Sequence, residues 1–296
     1  MINFLQLPPE YSGYDSSRFV VIPLPYDSGK SWHGGAAQGP LAVIEASTQM
    51  ESFDEEVSVQ GFHQGIHTLP LNELPVEPER MLARTAELVA PVFKDGKIPI
   101  CIGGDHSVSI GPIEEAARRY GPLDILHLDA HTDLRDSYQE SRLSHACAIR
   151  RVWGCGNIIQ VGIRSTSMEE AQFLEKQGCS PIYASTFIHR TEEAISTILE
   201  RFTGRPLYIT LDVDCLDPSE MPATGTPEPG GLSWHHVTAI LRAAIERSPL
   251  IGMDIVELAP VPGIHFPQYT AARLIYKVIN YHAVSSMHHA VKDSHK

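Results

Sequence analysis

Asp129-Ala130-His131-Thr132-Asp133 sets three metal-competent side chains at every second residue, directly after the apolar run Ile125 to Leu128. Alternate residues of an extended strand project to the same face. Two carboxylates and an imidazole are therefore aimed at one point, where a strand gives way to a loop. Like charges gathered that closely are costly unless a cation stands among them. Two more segments have the same character: Gly103-Gly104-Asp105-His106 after Ile98–Ile102, and Asp212-Val213-Asp214 after Leu207–Leu211. The chemistry this points to is divalent-metal binding.

Such residues act together only if their strands lie side by side. Strand-length apolar runs are read at Arg18–Pro23, Gly65–Leu69, Ile98–Ile102, Asp124–Asp129, Ile158–Ile163, Pro181–Ala184, Leu207–Asp212 and Leu250–Glu257. Several are apolar at consecutive positions, as in Phe19-Val20-Val21-Ile22, the pattern of strands covered on both faces. Amphipathic stretches at Glu79–Phe93, Ile113–Tyr120, Ser167–Gln177, Thr191–Phe202, Ser233–Arg247 and Tyr269 to about Ala283 are read as helices. Thr191 and Ser233 are expected as N-caps, Gly178 and Gly204 as stops. Regular βα alternation predicts an α/β fold with a mainly parallel sheet between helices. In such sheets ligand sites form at the carboxyl ends of strands, where all three acidic segments fall. With no linker and no internal repeat, residues 1–296 are read as one domain, the core about 18–284, with a polar tail from His288 to Lys296 expected to fray.

The ligand count is His106, Asp129, His131, Asp133, Asp212 and Asp214. Two imidazoles and four carboxylates exceed one tetrahedral zinc, and no cysteine joins them. An oxygen-rich set with some nitrogen suits Mn²⁺. Bridging carboxylates would hold two ions roughly 3.5–4 Å apart. Asp217, followed by Pro218, reads as a turn residue, and Asp105 as structural or supporting.

Composition bounds the rest. The 296 residues are 43% hydrophobic and 20% charged, with a net charge of −13. That balance argues against nucleic acid or an anionic membrane as partner and favours a cationic substrate through steering. Five cysteines without a CxxC pair fit a reduced, cytoplasmic setting, and neither a signal peptide nor a membrane span is read.

Taken in order, the three acidic segments, Gly225-Thr226-Pro227-Glu228-Pro229-Gly230-Gly231 and Asp254-Ile255-Val256-Glu257-Leu258-Ala259-Pro260 resemble the ureohydrolase family of arginases, agmatinases and formiminoglutamases. The resemblance covers the chain from about Phe19 to the final helix. It implies a three-layer αβα fold around an eight-stranded parallel sheet, two Mn²⁺ per subunit on the six residues above, and hydrolysis of a guanidinium to urea and an amine. Homotrimers or homohexamers are the implied assembly. Paired ions lower the pKa of bound water. A carboxylate must clamp the guanidinium plane, the role the resemblance gives Glu257. A histidine must protonate the leaving amine, and the resemblance points to His145 in Ser144-His145-Ala146. Ala146 and Ala223 stand where relatives carry glycine. His33 and His127 are left without a role.

The loop after the first motif separates substrates. Arginases carry Asn where this chain has Arg135, and Gly-Leu-Arg-Asp-x-Asp where it reads Gly162-Ile163-Arg164-Ser165-Thr166-Ser167. Asp-Leu-Arg-Asp, Ser-His-Ala and Met221–Gly231 look like microbial agmatinases, which release putrescine. Asp136, Glu140 and Glu228 are the expected acidic partners of a cationic tail. If Arg135 or Arg164 faced the pocket, an acidic tail would be favoured instead. The alternatives are a guanidinobutyrase, guanidinopropionase or formiminoglutamase and, from another class, a silent metal-stabilised binding subunit.

Overall fold

The computed structural model of the chain describes residues 2–27, 34–71 and 73–293. His33 lies outside them. The strands are β1 (Phe19–Leu24), β2 (Ile66–Thr68), β3 (Ile98–Gly103), β4 (Leu123–Leu128), β5 (Gly156–Ile163), β6 (Ile182–Tyr183), β7 (Leu207–Asp212) and β8 (Leu250–Val256). They form one eight-stranded sheet in the order β2-β1-β3-β8-β7-β4-β5-β6, every neighbouring pair parallel. The helices are α1 (Pro9–Ser12), α2 (Gly39–Ser47), α3 (Pro78–Lys94), α4 (Ile110–Tyr120), α5 (Ala148–Arg151), α6 (Met168–Gln177), α7 (Ala184–Arg201), α8 (Trp234–Arg247) and α9 (Phe266–Asp293).

Strand alternation divides the interior into two cores. Phe19 and Val21 of β1, Ile100 and Ile102 of β3, and Leu207 and Ile209 of β7 pack with α2, α7, α8 and α9. Val20 and Ile22 of β1, Cys101 of β3 and Tyr208 of β7 pack with α3 and α4. The result is the expected three-layer αβα sandwich, both sheet faces dry. Apolar burial at about 25 cal/mol per Å² makes these two cores the main stabilising term.

The expected elements are present, with corrections at helix ends. Ser233 caps α8 as expected: its hydroxyl accepts the His236 N–H at 3.3 Å, and His236 Nδ1 accepts the Ser233 N–H at 3.2 Å. Thr191 is no N-cap. Helix α7 begins at Ala184 and kinks at Arg190 (φ −147°), and the Thr191 hydroxyl donates back to the Phe187 carbonyl at 3.0 Å. Helix α9 continues through Asp293 because no glycine or proline follows Pro267 to stop it. Helix α2 was not anticipated, since Gly39-Pro40 at its start reads as a turn.

Candidate metal centre

Neighbouring central strands β3, β8, β7 and β4 bring the acidic segments to one edge. His106 follows β3 in a short turn that Asp105 caps by accepting the Ser107 N–H at 3.0 Å. The chain reaches that turn through Gly104, where a Cβ would stand 1.8 Å from the Tyr26 carbonyl oxygen. Asp129 and Asp133 both follow β4, Asp212 closes β7 with Asp214 just beyond, and Glu257 follows β8. Asp133 (φ 51°) and Glu257 (φ 64°) occupy left-handed backbone that side chains normally avoid. Such outliers gather where side-chain aim outweighs local strain.

Two groups of ligand atoms form. In the first, His106 Nδ1 lies 3.0 Å from Asp133 Oδ2, 3.2 Å from Asp129 Oδ2 and 3.5 Å from Asp212 Oδ2. It is buried and hydrogen-bonded to none of them. Its Nε2 is 2.8 Å from the Thr210 hydroxyl, which lies 2.6 Å from Asp254 Oδ1. The Thr210 proton serves the carboxylate, so Thr210 accepts from Nε2–H, which leaves Nδ1 as the ring atom that faces the three carboxylates and could give its lone pair to an ion. In the second, His131 Nδ1 lies 2.9 Å from Asp214 Oδ2 and 3.6 Å from Asp129 Oδ1. Asp129 gives one oxygen to each group and so joins them.

Backbone donors hold the carboxylates in that attitude. The His131 N–H meets Asp129 Oδ1 at 2.6 Å, the Ala130 N–H meets Asp214 Oδ1 at 3.0 Å, and the Asp214 N–H meets Asp212 Oδ1 at 2.8 Å. Electrostatics show what is wanting. Burial and the neighbouring carboxylates push Asp212 well above the carboxylate range and Asp214 upward. Burial opposes a charged His131, yet Asp214 and Asp129 hold its pKa up at about 12. The protonated imidazole stands in for a cation. The orphaned His106 nitrogen and the surplus of buried carboxylates fit divalent ions, and the donor set of two imidazoles and four carboxylates fits hard ones.

Beside this cluster is a cavity of about 240 Å³, lined by His131, Asp133, Asp212 and Asp214 and also by Glu257, His145, Arg135, Tyr138 and Thr226. Glu257 Oε1 accepts the His106 N–H at 2.7 Å. Burial and Asp105 raise its carboxyl well above the usual range, so a cation in the cavity would restore the ionised form. His145 stands against the Tyr138 ring, 5.6 Å between centroids. The three tail candidates lie elsewhere. Asp136 is paired with Arg151 at 2.8 Å and Arg142 at 3.1 Å. Glu140 is exposed in the Tyr138–Ser141 turn, where it and Gln139 both have positive φ. Glu228 meets Arg164 through its backbone carbonyl, at 2.7 Å, and its carboxylate is not in the cavity wall. Arg135 lines the cavity, 5.4 Å over Tyr138, whereas Arg164 is spent on backbone carbonyls.

Sequence reasoning picked out His127 without giving it a role and missed the rest of a layer of polar residues one step below the candidate ligands. The strand register pairs Gln160 with His127, His127 with Thr210, Thr210 with Asp254 and Asp254 with Cys101. All are buried. The signal was present: a polar residue inside an apolar run, two positions before Asp129 and Asp212. Asp217 is a turn residue, held at a pKa of about 2 by the Ser219 hydroxyl and N–H and by the Gly231 and Gly230 N–H groups. Ala146 and Ala223 both take ordinary negative φ, so neither position requires the glycine.

The arginase family model matches residues 17–280. The chain is 34% identical over 278 residues to an N(1)-aminopropylagmatine ureohydrolase of Synechocystis sp., covering 91% of this chain and 90% of the relative. It is 34% identical over 260 residues to an agmatinase of Bacillus anthracis, covering 85% and 87%. Among solved structures it superposes on the agmatine ureohydrolase of Thermoplasma volcanium with a TM-score of 0.87 at 28% identity, covering 98% and 97%.

Proposed function

The chain belongs to the arginase family, an assignment that makes it a guanidino C–N hydrolase, and from that footing we propose that it hydrolyses agmatine to urea and putrescine with two Mn²⁺ ions. The observation that carries this is the pair of ligand groups sharing Asp129, set beneath a cavity that also holds Glu257 and His145. His106, Asp129, Asp133 and Asp212 would hold one ion, and Asp129, His131 and Asp214 the other. Bound there, the ions supply a nucleophile at neutral pH by acidifying water. The protein's own groups do the rest. Glu257 clamps the planar guanidinium and fixes its carbon over the cluster. His145 delivers a proton to the departing nitrogen, so that urea leaves with the water oxygen and the tail leaves as an amine. Tyr138 forms the wall against which His145 stands. One domain spanning the chain, assembled as trimers or hexamers in the cytoplasm, completes the reading. Among the described residues no helix is long and apolar enough to cross a membrane.

The tail is the open choice. The relatives' names favour agmatine or its aminopropyl extension. Arg135 favours a guanidino acid, since it faces the cavity and forms no ion pair among the described residues. A urea-release panel with added Mn²⁺ separates the readings: agmatine, aminopropylagmatine, arginine, guanidinobutyrate and guanidinopropionate. Agmatine is expected to turn over fastest. Urea from a guanidino acid and none from agmatine would overturn the choice of tail.

A further inference from the structure

Gln160 and His127 are buried partners in register on β5 and β4, and neither ligates in the reading above. The Gln160 amide nitrogen lies 2.8 Å from the Thr132 carbonyl oxygen and 3.0 Å from His127 Nδ1. On the other side of the ring, His127 Nε2 lies 2.7 Å from Asp129 Oδ2. His127 also stands within ligand distance of His106, Asp129 and Asp133, so its nitrogen would be a rival ligand if it were bare.

Hydrogen-bond polarity settles which it is. A backbone carbonyl only accepts, so the Thr132 oxygen requires the Gln160 NH₂ on its side and fixes the amide orientation. The second N–H of that group then points at His127 Nδ1, which must carry the lone pair. The ring proton is left on Nε2, where it faces an acceptor-only carboxylate. Reversing the amide would oppose two carbonyl oxygens at Thr132, in a dry interior where such a contact has no water to relieve it.

We propose that Gln160 is a positioning residue: by donating to Nδ1 it holds His127 as the Nε2–H tautomer, which makes His127 a donor to Asp129 rather than a metal ligand. The consequence falls on the shared carboxylate. Asp129 Oδ1 takes the His131 N–H and Oδ2 takes the His127 N–H, so each oxygen has one protein donor and one lone pair left for its own ligand group. The carboxylate is fixed on both sides and cannot rotate its two oxygens into one group. Thr132, whose carbonyl sets the amide, lies in the same loop as His131 and Asp133. One side chain therefore ties the strand below the centre to the loop that supplies three ligands.

The proposal rests on the metal reading of this site, and two measurements keep the two separable. In metal-free wild-type protein labelled with ¹⁵N-histidine, long-range proton–nitrogen correlations report which ring nitrogen of His127 is protonated. Protonated Nε2 with bare Nδ1 is expected; a protonated Nδ1 would overturn the proposal. Titration with Mn²⁺ alone then compares wild type with Gln160→Leu and the near-isosteric Gln160→Glu, which keeps the shape and reverses the polarity. Both variants should bind about 10–100-fold more weakly, the usual effect of losing a group that orients a ligand. Wild-type Mn²⁺ affinity in Gln160→Glu would assign Gln160 to packing alone and overturn the proposal. Failure of the wild type itself to bind Mn²⁺ would overturn the metal reading, and the tautomer measurement would still decide the role of Gln160.

Discussion

A single atom explains most of the site. His106 Nδ1, buried, without a hydrogen bond and within 3.5 Å of three carboxylate oxygens, is where a divalent ion belongs. The Nε2 of that ring is committed to Thr210, so its orientation is set before any ion arrives. His145 is built differently. Its Nδ1 is 3.3 Å from the Ser144 hydroxyl, and it lines the cavity without entering either ligand group. A proton donor to the leaving amine needs that independence. His145→Ala should therefore lower kcat by about 10²-fold, the usual contribution of a general acid, while Mn²⁺ content stays at the wild-type value. Wild-type turnover in that variant would require another donor, and loss of metal would make His145 a ligand instead.

At the scale of elements, the loops owe their shape to Arg164 at the end of β5. Its guanidinium donates to the carbonyls of Gly162, Asp214, Cys215, Leu216 and Glu228. It thus stitches the Asp212–Asp214 turn to the Thr226–Gly231 loop. Arg164→Met would leave several of these acceptors without partners in partly dry surroundings. A loss of at least about 2 kcal/mol is expected from urea unfolding, together with weaker Mn²⁺ binding. Arg164→Lys should recover little, because one ammonium cannot span five carbonyls on separate segments. Unchanged stability in both variants would contradict this. The strands were legible because most are runs of consecutive apolar residues, three of them leading into a candidate ligand segment, and Leu207–Asp212 matches to the residue. Helix limits were less so. Thr191 has the right type for an N-cap, but the capping position depends on where β6 delivers the chain, a tertiary fact. Arg164 was ambiguous for a related reason: whether a guanidinium faces a pocket or a neighbouring loop depends on segments some fifty residues away, as with Asp214 and Leu216.

Across the whole molecule, α9 fastens the N-terminal third of the chain to the α8 side of the sheet. Lys277 binds Asp54 at 2.9 Å and Glu56 at 2.8 Å, Asn280 meets Asp54 and Gly61, and His282 Nδ1 meets Gln64 at 2.8 Å. His282 carries a pH signature. Burial and the Arg18 charge push its pKa down to about 4, against about 6.5 in an unfolded chain. Because the unfolded chain binds this proton first, the contribution is whole above about pH 6.5 and is lost as pH falls toward 4. Urea unfolding at pH 7 and pH 4.5 should show a smaller stability difference in His282→Gln than in wild type; equal differences would contradict the assignment. At this scale the six candidate ligands could be named from sequence because all of them sit in short motifs at strand ends, which the sheet order brings to one edge. The acidic tail candidates were not, because Asp136 is consumed by Arg142 and Arg151, a pairing made only when the chain folds back. The most direct test of the central claim is urea release by metal-stripped protein as Mn²⁺ is restored with agmatine present. No urea is expected without metal, and the rate should rise until two ions are bound per chain. Full activity in the stripped protein, or saturation at one ion, would contradict that claim.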